Sequence, residues 1–186
     1  MNTELKDEHK LNLTHCVSAV VERPRSVEHT LVIKGSFHLE HYDKDGKLLN
    51  KFNFDNGIKN AGKDLLLNVV FHGTTPVSTW YVGLINNSGW SIESASDTLA
   101  SHAGWTEFTN YTGNRVEWTE GVSSGGAIMN SSPLTFPITA TGTLKGVLVA
   151  SVASGTSGTL WSTADFPSPI AVNNGDSFKI TYNISV

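Results

Sequence analysis

Three stretches of this chain alternate apolar and polar residues with a period of two, and that pattern confines most of it to β-sheet. In the last stretch Phe178, Ile180, Tyr182, Ile184 and Val186 interleave with Lys179, Thr181, Asn183 and Ser185. Nearer the front, Leu31, Ile33, Phe37, Leu39 and His41 face one way, and Val32, Lys34, Ser36, His38 and Glu40 face the other. Between them Leu134, Phe136, Ile138 and Ala140 alternate with Thr135, Pro137 and Thr139. Successive side chains of a strand point to opposite faces, so each run reads as a half-buried strand. Pro137 places the middle run along a sheet edge, because proline cannot donate to the ladder.

Turn chemistry separates these runs. Asp43-Lys44-Asp45-Gly46 and Asn173-Asn174-Gly175-Asp176 read as tight turns, with glycine supplying positive φ. The Asp-x-Asp-Gly start also resembles a calcium loop. Such a loop needs a glutamate at its twelfth position, and here that position is Phe54. Leu144 to Val152 is a near-continuous apolar strand, and Pro167-Ser168-Pro169 reads as a turn. Val122 to Ser132 is rich in serine and glycine and reads as a loop. One helix is expected within 56–73, where Ile58, Leu65, Leu66, Val69 and Val70 form a stripe. Asn56 or Asn60 would cap it, Gly73 would end it, and Gly62 in its first turn implies a close backbone approach. Seven to nine short strands then imply a mainly β fold: an antiparallel, jelly-roll-like β-sandwich with one short helix.

The longest irregular connection runs from Asn86 to Thr112, between strands at 80–85 and 115–119. Loops beyond about 12–15 residues are uncommon unless ordered or functional. This one carries Trp90 and Trp105 and few charges, so packing is expected to order it. The two tryptophans are candidate partner contacts, with core packing as the alternative, because tryptophan is enriched in both settings. Trp118, between Glu117 and Thr119, is expected in the core.

Composition narrows function more than fold. The net charge is −4 over 186 residues, which argues against binding driven by phosphate neutralisation. Lys6, Lys10, Arg23 and Arg25 cluster, but Glu4, Asp7, Glu8 and Glu22 lie among them. Cys16 is the sole cysteine, so no internal disulfide forms. No apolar run approaches the roughly 18 residues of a membrane span, and the first residues lack the apolar core of a secretory signal. No nucleic acid or membrane partner is therefore expected.

Chemistry has little purchase here. Asp97, Ser101, His102 and Glu107 are close in sequence, yet adjacent Ser101 and His102 would point apart on a strand. These polar groups are expected to pin the loop instead. His38 and His41 face opposite ways and cannot share a metal. No catalytic, cofactor or metal residue is assigned, and no enzyme is expected.

Residues 1–28 differ from the rest. They are charged, lack periodicity and scatter Leu11, Leu13, Val17, Val20 and Val21 among polar residues. They read as a disordered tail or as an N-terminal arm, extended or disordered until bound, that buries those apolar points on a neighbouring subunit. The β-sandwich domain occupies 29–186.

Three blocks resemble a family of tailed-bacteriophage virion proteins. They are the 56–73 helix leading to Trp80-Tyr81-Val82-Gly83-Leu84; residues 97–107 with Tyr111 and Arg115; and Gly158 through Trp161 and Phe166 to Gly175-Asp176 and the final strand. The resemblance covers roughly 30–186, and the 97–107 block is its most specific part. It implies a structural protein of the particle with no catalytic residues to carry over. Capsid decoration (cement) is the first expectation: an arm-anchored domain on the capsid surface, contacting the major capsid protein or another virion protein, and a homo-oligomer with a trimer favoured. The alternative is a tail or fibre domain that binds a host-surface glycan or receptor. Either protein would be made in the host cytoplasm and carried in the virion.

Overall fold

The computed structural model describes residues 32–186. Leu11, Leu13, Val17, Val20 and Val21, and with them the expected arm, lie outside the described residues. In chain order the elements are β1 (Lys34–Tyr42), β2 (Leu48–Asp55), β3 (Gly57–Ile58), α1 (Asn60–Phe71), β4 (Trp80–Asn86) and β5 (Thr106–Phe108). Then follow β6 (Val116–Trp118), β7 (Ala127–Met129), β8 (Leu134–Pro137), β9 (Gly142–Ala150), β10 (Leu160–Val172) and β11 (Ser177–Ser185).

They form two antiparallel sheets. The first runs β2-β1-β11, with both β7 and β8 paired along the far side of β11; the second runs β3-β10-β9-β4, with both β5 and β6 paired to β4. The inward faces of both sheets share one core. Phe37, Leu39, Phe54, Phe136, Phe178, Ile180 and Tyr182 come from the first sheet; Val82, Leu84, Trp118, Leu144, Val147, Val149, Phe166 and Val172 come from the second. This is a β-sandwich with one helix, as the alternation predicts. Tyr182 ties the layers: its ring stacks on Phe37 at 4.3 Å, and its hydroxyl accepts hydrogen bonds from Trp161 Nε1 (2.9 Å) and Asn56 Nδ2 (2.7 Å).

The β1–β2 turn forms at the predicted place. Gly46 sits at φ 79°, and Asp43 Oδ1 accepts the N–H groups of Asp45 and Lys47, both at 2.9 Å. The carboxylate that resembled a cation ligand is engaged by the turn's own backbone. His41 is buried and His38 lies on the opposite, outer face.

Two readings need correction. Pro167-Ser168-Pro169 is no turn but part of β10. Pairing with β9 runs from Leu160 to Asp165 opposite Gly146, skips, and resumes at Ile170 opposite Leu144. The donor-less prolines sit in that bulge, where no ladder bond is asked of them. Val122–Ser132 holds β7, three residues paired to β11, too short to show a period.

The helix begins later than the stripe implied. Lys59 occupies the N-cap position without a side-chain cap bond, its own N–H donating to Trp161 O at 2.8 Å. Gly62 is buried, and the approach there is so close that a Cβ would stand 2.8 Å from that same carbonyl. At the other end, Gly73 takes φ 70° just past the C-cap residue His72.

Candidate functional site

The 86–105 segment lies on the outer face of the second sheet. That face presents Ile85, Leu148, Ala150 and Leu160, which form a second, smaller apolar cluster with Leu99 and Trp105 from the segment. The near-continuous apolar run of β9 has this cause: both of its faces are covered. Trp105 is 1% exposed, so its expected role as a partner contact gives way to a core role. Its Nε1–H donates to Asp97 Oδ2 at 2.9 Å, and the same oxygen accepts the Ser94 N–H at 2.9 Å. His102 stacks on the Trp105 ring at 3.8 Å and donates from Nδ1 to the Trp105 carbonyl at 3.0 Å. Ser101 closes a turn with Thr98 through its backbone.

Glu107 meets a different partner. Its carboxylate receives a two-pronged bond from Arg115, with Nε at 3.0 Å and Nη2 on the second oxygen. The buried guanidinium also donates to the carbonyls of Val152 and Gly155, both at 2.9 Å. Arg115 thus fastens the 153–158 loop to β6's approach. Beside it Tyr111 is held up to about 12, first by burial and then by the Glu107 charge. Asp97, Ser101, His102 and Glu107 are therefore distributed over three separate structural contacts, with Trp105, Thr98 and Arg115, and form no Ser-His-Asp array.

A third polar cluster was not legible in the sequence. Glu93, in the 86–105 segment, accepts a hydrogen bond from Thr163 Oγ1 of β10, and Lys59 Nζ at the start of α1 lies 3.5 Å from the same oxygen. Lys59 Nζ also lies 3.9 Å from Asp97 Oδ2. Lys145 Nζ of β9 pairs with Asp165 Oδ2 at 3.2 Å and sits over the Trp90 ring at 4.3 Å. Burial raises the Glu93 pKa above its ordinary value; Asp165 adds to the rise, while Thr163 and Lys59 oppose it. Trp90 is partly buried against the smaller cluster, with one ring face toward that ammonium. Among the described residues no group of three or more His, Cys, Asp or Glu side chains is arranged to hold a metal.

An open apolar surface surrounds α1. Leu65, Leu66 and Val69, with Pro76, Val77, Trp80, Trp161 and Ile184, line a groove of about 220 Å³ between the helix and the sandwich. Outside it Leu67, Val70 and Phe71 are 55%, 60% and 81% exposed. Of the stripe read from sequence, Ile58, Leu65, Leu66 and Val69 are half-buried toward the sandwich, whereas Val70 turns to solvent, and only Gly62 of the helix is fully buried.

Architecture and surfaces define a β-sandwich module whose buried polar groups brace its own loops and whose helix leaves apolar surface open. The chain belongs to the family described as podophage GP4 fiber I protein gp80, whose model matches residues 57–184, more than half of the sequence. The match runs from β3 into β11 and leaves out the β1–β2 hairpin. The protein is accordingly a bacteriophage structural protein and a component of the virion. No curated protein matches the chain.

Proposed function

We propose that the protein is a non-enzymatic component of the phage fibre, joined to neighbouring virion proteins through surface contacts. The observation that carries this reading is the family match itself, whose description is a fibre protein and which spans the sandwich from β3 into β11. It moves the fibre reading ahead of capsid decoration, which the sequence had placed first and for which nothing further speaks. The apolar surface around α1 supports an assembly role, since single soluble domains rarely leave such residues together in water. Against catalysis stand the contacts of Asp97 and Glu107, each engaged by a buried partner within the fold. A homo-oligomer, with a trimer favoured, and partner contacts through the N-terminal arm complete the proposal.

The test is a comparison of wild-type particles with particles made without this protein, imaged by cryo-electron microscopy. Difference density along fibres or their attachment, with an unchanged head shell, is the expected result. Difference density on the capsid surface would return the protein to the decoration role.

A further inference from the structure

The cluster that holds the 86–105 segment to the sandwich leaves two buried carboxyl oxygens without a hydrogen-bond partner among the described residues, Glu93 Oε1 and Asp165 Oδ1. Asp165 of β10 lies close enough to Glu93 of the segment for its carboxylate to raise the Glu93 pKa. The other oxygen of each is engaged, by Thr163 and Lys59 on Glu93 and by Lys145 on Asp165. Two buried acceptors opposed with no donor between them repel and stay unsatisfied. One proton satisfies both, because a protonated carboxyl is a donor.

We propose that Glu93 keeps that proton, hydrogen-bonds through it to Asp165, and so acts as an acid-dependent latch that seats the 86–105 segment on the second sheet. The groups facing the latch come from every element packed on it. Lys59 lies at the N-cap of α1, Asp97 is in the segment itself, Thr163 and Asp165 are on β10, and Lys145 is on β9. With Glu93 protonated, the charges balance: Asp97 and Asp165 stand against Lys59 and Lys145. With Glu93 ionised, three carboxylates share two ammoniums in a partly buried site, and the segment loosens. What loosens first is the part nearest the latch, residues 90–93. There Trp90 lies under Lys145, and its own buried Nε1 has no acceptor among the described residues.

The direction in pH follows. Burial and Asp165 raise the folded-state pKa of Glu93 above its unfolded value. The latch therefore holds fully below the unfolded value of about 4.3 and is lost as pH rises through the folded one.

Hydrogen exchange of the 86–105 segment in the full-length protein, corrected for intrinsic rates and followed from about pH 4 to about pH 8, reads the latch directly. Protection of residues 90–93 should fall about tenfold for each unit by which the Glu93 pKa is raised, while the β1–β11 ladder stays unchanged. Glu93→Gln, whose amide donates at any pH, should keep the segment protected throughout. Asp165→Asn removes the facing charge and should move the midpoint of the loss to lower pH. Wild-type protection independent of pH would overturn the proposal, as would an unchanged midpoint in Asp165→Asn or an unchanged slope in Glu93→Gln.

Discussion

Trp105 and Asp97, eight residues apart on an irregular segment, are joined by an indole-to-carboxylate hydrogen bond of 2.9 Å, and both are buried. The pair explains how a segment without a strand ladder of its own holds one shape. The ring supplies apolar area to the outer face of the second sheet, and the carboxylate satisfies the only polar atom that area carries with it.

Trp105→Ala should cost about 3–5 kcal/mol in denaturant unfolding, the usual range for emptying a buried aromatic site. Asp97→Ala should cost about 1–3 kcal/mol by leaving the indole N–H and the Ser94 N–H unpaired. Because the two share one contact, the double variant should lose less than the two separate losses combined. Full additivity would show that the two residues act independently.

Breaking the Glu107–Arg115 pair should be more damaging than an exposed ion pair allows. Glu107→Ala leaves a buried guanidinium with only the Val152 and Gly155 carbonyls, and a loss of roughly 3 kcal/mol is expected. Arg115→Lys should not rescue stability, because an ammonium lacks the planar fork that reaches both the carboxylate and the two carbonyls. Chemical unfolding of the two variants measures both effects.

Gly62→Ala tests the approach of α1 to β10. In a free helix alanine is favoured by about 1 kcal/mol. Here its methyl would stand 2.8 Å from the Trp161 carbonyl, so the substitution should lower the melting temperature. Lys63→Ala, one position along and exposed, should change stability by no more than about 0.5 kcal/mol.

Alkali should unfold the protein through its buried tyrosines. Burial is the first cause in both Tyr111 and Tyr182, and each is pushed up to about 12. A folded-state pKa above the unfolded value of about 10 gives stability that is complete below pH 10 and is lost as pH rises through 12. Each residue contributes on the order of 2 kcal/mol to that loss. Absorbance titration of phenolate should show these two groups ionising late and together with unfolding, and Tyr111→Phe should flatten part of the dependence.

Much of this was legible in the sequence because one buried face fixes a strand's register. A slip of one residue would turn Phe178, Ile180 and Tyr182 into solvent, so their alternation could only mean what it does. β5, β6 and β7 are three residues each, too short for any period, and pairing with longer neighbours defines them. Pro167 and Pro169 carry turn chemistry, but β9 on one side and the core beneath Phe166 and Ile170 hold the strand through them. For Trp105 the deciding signal lay elsewhere in the chain. A β9 run apolar on both faces requires a cover, and the 86–105 segment is that cover. The Lys59–Glu93–Thr163 contact joins residues far apart in sequence from a helix cap, a loop and a strand, and no local pattern announces it.

Immunogold labelling of intact virions with antibody raised against residues 32–186 tests most directly where in the particle the protein sits. Gold along the fibres or at their base is the predicted result. Gold spread over the head shell, with bare fibres, would contradict it.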